Sequence, residues 1–266
     1  MLGKLLKYEL KATGRIFLPL FLALLVFAGI TRFMTLISPE KWATPQTISM
    51  IIYIIIMAGM FVMTFIMMIQ RFNRNLLSDE GYLMHTLPTK PWKHIASKLF
   101  VTMLWIVSSG IAALISILII TLKKGDLTRF AVGLADSYHQ AFEHLGASIY
   151  LLSFEVIIAI LVSLASVILL IYASISIGHL SNQHKMLASF GAFILLSTLS
   201  HFLFTLISLA PGTAYFLNIH TSSNDSVGRQ AVVHRAIAYG IIFTGILCAA
   251  YFAVTNFILS KRLNLE

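Results

Sequence analysis

Runs without a single Asp, Glu, Lys or Arg divide the chain: residues 16–31, 42–70, 99–122, 156–184, 186–224 and 236–260. A helix needs about 20 apolar residues to cross roughly 30 Å of hydrocarbon, and each run supplies one crossing once its flanks are trimmed or extended. The pattern predicts six spans, near 16–37, 48–70, 99–121, 148–172, 187–208 and 237–259. Proline placement agrees. Pro39, Pro45, Pro88, Pro91 and Pro211 fall between the spans and only Pro19 lies inside one, where neighbouring helices can satisfy the freed carbonyl. Tyr150 and Tyr172 stand about 33 Å apart along span four at 1.5 Å per residue, which suits rings at both membrane interfaces.

Composition supports the membrane assignment. Of 266 residues, 58% are hydrophobic and 11% charged, against roughly a quarter charged in a soluble domain. The first apolar run lacks a small-residue cleavage site, so span one is expected to stay in place. The lone Cys248 lies inside span six and excludes an internal disulfide. With the N-terminus inside, 12 of the 19 basic residues fall on the cytoplasmic side. Three of the other seven sit in the long outer loop 122–147, and long loops count for little in the positive-inside rule. Both termini and residues 78–98 are therefore expected in the cytoplasm. The net charge of +9 then reflects topology and attraction to anionic lipid. The basic residues are dispersed, so no nucleic-acid partner is expected.

"MLGKLLKYELKATGR" has a helical period. Lys4, Lys7, Lys11 and Arg15 share one face, and Leu2, Leu5, Leu6 and Leu10 lie opposite. That predicts an interfacial helix over residues 1–15, lying in the headgroup plane. Glu9 interrupts its apolar side. It either reaches water or a nearby lysine, or it pairs with Arg71 or Arg74 and clamps this helix to the bundle.

Between spans two and three, "SDEGYLMHTLPTKPWKHIASK" (78–98) is too ordered in composition for a linker. "NLLSDEGYLMHTLP" predicts a short helix ending before Pro88, since the residue before a proline is pushed from helical geometry. Ser78 can cap its first turn. Tyr82, Leu83, Met84 and Leu87 leave an apolar patch, which a partner covers unless the loop folds back on its own bundle. Lys93 and Lys98 are expected at the headgroups.

The "LLKYELK" segment, six spans, this cytoplasmic stretch and the terminal "SKRLNLE" together resemble a small type-2 ABC transporter permease of bacteria. The resemblance covers nearly the whole chain in layout. It implies an all-α integral membrane protein with one permease domain, 1–266, an N-terminal elbow helix and a coupling helix between spans two and three. It also implies a functional pair of permease subunits, a homodimer or a heterodimer with the homodimer expected, served by two cytoplasmic ATPase subunits, which would bind ATP and Mg. Carried onto this chain, the coupling helix runs from about Leu76 to Leu87, with Asp79, Glu80, Tyr82, Leu83 and His85 as contacts. The second contact is "GHLSNQHKM" (178–186), including His179 and Asn182. Outer residues 209–235 resemble the short re-entrant helices that cap such permeases. Among relatives, the layout is similar to exporters of amphipathic, cytolytic peptides in the bacterial plasma membrane.

The chain has no GxxxxGK[ST] phosphate loop, HExxH or GxSxG, so no catalytic, cofactor or metal residue is expected in it. Energy must come from another polypeptide or an ion gradient. His139, His144, His220 and His234 fall outside, His85, His94, His179 and His184 inside, none with ligand spacing. Glu155 is the only acid within a span, where a charge costs at least about 2.5 kcal/mol without a partner. Glu155 and His201 lie at matching depth on either side of a turn near Gly178 and are expected to approach each other or to share water in an outward cavity, as a register-fixing pair or in the transport path. Met57, Met60, Met63 and Met67 share a face of span two, suited to packing or to varied apolar substrates. Ser108, Ser109, Gly110, Ala112 and Ala113 permit close approach on span three. Leu127, Phe130, Ala131 and Leu134 predict an outer amphipathic helix over 123–146. An ion-driven secondary transporter is the alternative, though it usually shows internal repeats and none is found; an intramembrane enzyme comes third.

Overall fold

A computed structural model describes residues 2–37, 43–77, 90–121, 126–181, 184–209 and 226–261. Among the described residues there are seven helices and no strand: α1 (Leu2–Ile37), α2 (Ala43–Leu77), α3 (Pro91–Thr121), α4 (Asp126–Leu145), α5 (Ser148–Gly178), α6 (Lys185–Leu209) and α7 (Ser226–Lys261). All but α4 are long and apolar enough to cross a membrane. The protein is an all-α, multi-pass membrane protein, and α4 is the expected amphipathic helix between its third and fourth spans.

The helices outrun the charge-free windows that announced them. A charge near a helix end can reach water along its own stem, so it does not mark where hydrogen bonding stops. Pro45 and Pro91 sit in the first turns of α2 and α3, where a missing N–H costs nothing. No break separates residues 2–15 from the first span. One helix runs through both, and an independent elbow is not seen. Residues 226–235, expected in the outer re-entrant segment, form the beginning of α7; residues 210–225 lie outside the described set.

Two compact units emerge, one from α1–α3 and the start of α4, the other from the rest of α4 with α5–α7. In the first, a single stripe of α1 is buried: Glu9, Thr13, Phe17, Leu24, Ala28 and Thr31. The i, i+4 spacing holds from the basic segment into the apolar one, which is why the helix does not break. Phe17 stacks on Trp105 with centroids 4.6 Å apart. Leu24 and Ala28 pack with Tyr53, Met60, Ala112 and Ala113, so Ala112 and Ala113 of α3 do admit close neighbours, whereas a Cβ on Gly110 would meet nothing within 4 Å.

Polar pairs fix the register. Glu9 meets Arg71, Thr31 meets Ser49 and Thr35 meets Gln46, so α1 and α2 run antiparallel. Glu9 meets Lys98 and Thr13 meets Trp105, advancing together, so α1 and α3 run parallel. Ser109 and Ser116 of α3 bond Thr64 and Tyr53 of α2, at 3.2 and 2.9 Å. Lipid tails give apolar helices no hydrophobic reason to associate, so such bonds and close packing do the selecting.

In the second unit, α5 and α7 also run parallel. Ser148 bonds Gln230, Glu155 bonds His234, and the Cys248 thiol reaches the Val162 carbonyl. Tyr172, expected as an interfacial ring, is 1% exposed and belongs to the buried stretch Ile171–Ser176; only Tyr150 is exposed. α5 and α6 meet where Gly178 faces Ser189. A Cβ on Gly178 would run into the Ser189 hydroxyl and lie 2.6 Å from its backbone nitrogen. Gly178→Ala should therefore lower stability by about 1–3 kcal/mol, the cost of overpacking. Gly191→Ala and Gly240→Ala, where a Cβ meets nothing within 4 Å, should melt in detergent like the parent. Equal melting of all three would remove the close-approach account.

Candidate functional site

The densest charge cluster in the described residues stands where α1, α2 and α3 converge. Glu9 is 8% exposed. Its carboxylate accepts from Arg71 Nη1 at 2.9 Å and from Lys98 Nζ at 2.7 Å. Lys98, expected at the headgroups, is 3% exposed and turned into the protein toward Glu9. One turn on, Thr13 accepts from the Trp105 indole at 2.7 Å and donates to the Glu9 carbonyl at 2.7 Å. Phe17 and Trp105 close the apolar side. The clamp reading of Glu9 holds, with Arg71 as its partner on α2 and Lys98 added.

Geometry explains the arrangement. Arg71 lies six residues before the end of α2, and Lys98 seven residues after the start of α3. The cluster therefore sits at the root of the α2–α3 connection and joins both ends of it to α1. Two cations on one buried carboxylate leave an excess positive charge. Lys98, with its side chain 3% exposed, depends on Glu9 most, because an uncompensated buried charge costs about 3–5 kcal/mol; the Arg71 side chain is a quarter exposed.

A second pair stands in α5 and α7. His234 Nδ1 lies 2.7 Å from Glu155 Oε2, with both side chains about one-fifth exposed. The expected approach of His201 to Glu155 is corrected. His201 is exposed on α6, and the carboxylate is taken by His234, a residue expected outside the membrane. The neighbouring Ser148–Gln230 bond at 3.2 Å continues the contact toward the helix starts. A carboxylate and an imidazole at this distance can share or pass a proton.

The remaining candidates fall as follows. Met60 is fully buried, and Met57 and Met67 pack against the apolar clusters of the first unit; Met63 is half-buried. Three of the four thus pack the helix bundle. Leu76 is in the last turn of α2. Asp79, Glu80, Tyr82, Leu83, His85, Leu87 and Asn182 lie outside the described residues. His179 caps the C-terminus of α5 through its backbone N–H, which bonds Ile175 O at 3.1 Å. Burial, and secondarily the Lys185 ammonium, hold its imidazole below the usual range near 6.5.

Comparison with known protein families, characterised proteins and solved structures returns no match for this chain.

Two measurements test this geometry. Glu9→Gln should destabilise the purified protein by about 3 kcal/mol, because Lys98 then lacks its counter-charge. Glu9→Gln with Lys98→Met should lose less than Glu9→Gln alone; an additive loss would contradict a shared buried site. For His179, the unfolded chain takes up its proton first as pH falls below about 6.5, so this residue's contribution is intact above that value and declines below it. His179→Gln should thus lose less melting temperature than the parent between about pH 7.5 and about pH 5.5. Parallel losses would discount the imidazole.

Proposed function

We propose that this chain is the permease subunit of an ATP-driven exporter in a bacterial plasma membrane, working as a homodimer with two separate cytoplasmic ATPase subunits. The observation that carries this reading is the ion cluster at the root of the α2–α3 connection. A motor that pushes on residues 76–87 needs a stiff base, and Glu9 bonds the helices on both sides of that segment. The first turns of α1 supply the third arm and take the role of an elbow while remaining continuous with the span. The basic-residue bias supports cytoplasmic termini and a cytoplasmic α2–α3 connection. His179 and Asn182 would form the second, shorter contact, and 210–225 would cap the outer side.

ATP and Mg would be bound by the partner, since this chain has no phosphate loop. The layout favours amphipathic peptides as cargo, and two copies facing each other make room for a conduit that three or six helices lack.

One observation favours a second reading. The Glu155–His234 pair is the kind of intramembrane titratable site that ion-driven transporters use. On that reading the pair carries a proton, and export needs no second polypeptide.

The discriminating experiment uses the chain co-expressed with a P-loop ATPase encoded beside it. The pair should co-purify and hydrolyse ATP faster when an amphipathic peptide is added. Tyr82→Asp with Leu83→Asp should abolish co-purification without changing the amount of permease in the membrane. Unchanged co-purification would overturn the coupling assignment. Peptide export that survives without any ATPase and fails in Glu155→Gln would favour the ion-driven reading.

A further inference from the structure

α4 has a face that none of the described residues covers. Phe130, Ala131, Leu134, Tyr138, Phe142 and Leu145 recur at helical spacing and span an arc of about 120° at 100° per residue. Arg129, Asp136, His139, Gln140 and Glu143 occupy the other side. Every residue from 128 to 140 is exposed, on both sides of the helix. Leu134 is 57% exposed and Phe130 46%. A helix this short gains little from propensity alone and normally forms by burying its apolar stripe.

What buries the stripe is indicated by its surroundings. At the C-terminal end, Tyr138 stacks on Phe142 and Phe142 meets Tyr150 edge-on, with centroids 6.4 and 6.3 Å apart. The Tyr150 hydroxyl bonds that of Tyr138 and raises its pKa above 10.0. Tyr150 begins the exposed apolar side of α5, which continues through Leu151, Phe154, Ile157 and Ile160. In a membrane span an exposed apolar side of this kind can meet lipid. The C-terminal end of the α4 stripe joins that side through the Tyr138, Phe142 and Tyr150 rings.

The tethers are short. Four residues separate α4 from α3 and two separate it from α5. The second link turns at Gly146, whose φ is +55°, with its N–H bonded to Phe142 O at 2.7 Å. A left-handed glycine just past the last turn stops the helix and redirects the chain at once. A rod of about 30 Å, held at both ends by spans, cannot stand far from the bilayer.

We infer that α4 lies in the membrane–water boundary, with its apolar stripe set among the acyl chains of phospholipid. Its described polar face carries two acids and one arginine, so the association is hydrophobic and does not depend on anionic headgroups. In this it differs from the lysine-bearing face of α1.

The test uses the full chain with Cys248→Ala, reconstituted in phosphatidylcholine vesicles. Single cysteines, Phe130→Cys and Leu134→Cys on the apolar stripe and Asp136→Cys and Gln140→Cys on the polar face, each carry a nitroxide. Collision with oxygen, which concentrates in lipid, and with a water-soluble nickel chelate is then read from each. The first pair should favour oxygen several-fold and the second pair nickel, with no change on adding phosphatidylglycerol or salt. Ala131→Cys and Glu143→Cys replace any variant that fails to reconstitute. Equal access of nickel to both faces would overturn the inference. So would an apolar stripe shielded from both reagents, which would mean that protein, such as a second copy, covers it. A preference that appears only with phosphatidylglycerol would also overturn it.

Discussion

Glu9 is the constraint on which the first half of the molecule rests. Apolar helices gain little from touching one another in lipid, because the tails are as apolar as leucine. Something polar must choose the partners. Here one carboxylate takes bonds from α2 and α3 at once, from a position on the same stripe of α1 that buries Thr13, Phe17 and Leu24. The ion cluster and the Thr13–Trp105 bond settle one end of the three-helix unit. The Thr31–Ser49 and Tyr53–Ser116 bonds settle the other. A slip of α1 by one residue would break the Glu9, Thr13 and Thr31 bonds together and bury a bare carboxylate.

The second unit is built on a different balance. A close backbone approach, between Gly178 and Ser189, lies at one end of α5, and the Glu155–His234 hydrogen bond lies near the other. Most of its hydroxyls fold back on their own helix, as Ser174 and Ser176 do on Leu170 and Tyr172. No residue of α6 is buried. Side-chain bonds join α5 to α7, while backbone proximity at Gly178 sets α5 against α6. The first unit therefore resists sliding through directional bonds, and the second through such bonds on one side of α5 and shape at Gly178 on the other.

The number of spans and their order were legible because hydrocarbon imposes a blunt rule: about 20 apolar residues, few charges. The amphipathic stripe of α4 was legible for the same reason, since 3.6-residue periodicity survives in the letters. Helix ends were not, because a charge was taken as a boundary. Arg15 suggested a break in α1, yet the spacing of Glu9, Thr13 and Phe17 runs unbroken into Leu24. Arg235 suggested that α7 begins after it, although Ala231, Val232 and Val233 already continue the apolar pattern toward Ser226. That error placed His234 outside and handed Glu155 to His201. Matching depth was a sound criterion, but depth alone cannot say which neighbouring helix faces the carboxylate. Lys98 was missed for a related reason: a lysine beside an apolar run reads as a headgroup anchor until a buried acid is known to await it.

These features bear on how force would enter an exporter of this form. A loop that is merely tethered to two helices bends them separately when pushed, and the push is spent on local bending. With Arg71 and Lys98 held by the same carboxylate, the ends of α2 and α3 move as one body with the start of α1. The helices can then tilt together, and their far ends, fixed by Thr31, Ser49 and Ser116, must follow. If α4 rides in the membrane boundary, it sets a fixed height for the chain between the third and fourth spans. On the proposed reading, displacement at the α2–α3 connection would thus become rotation of a stiff three-helix body.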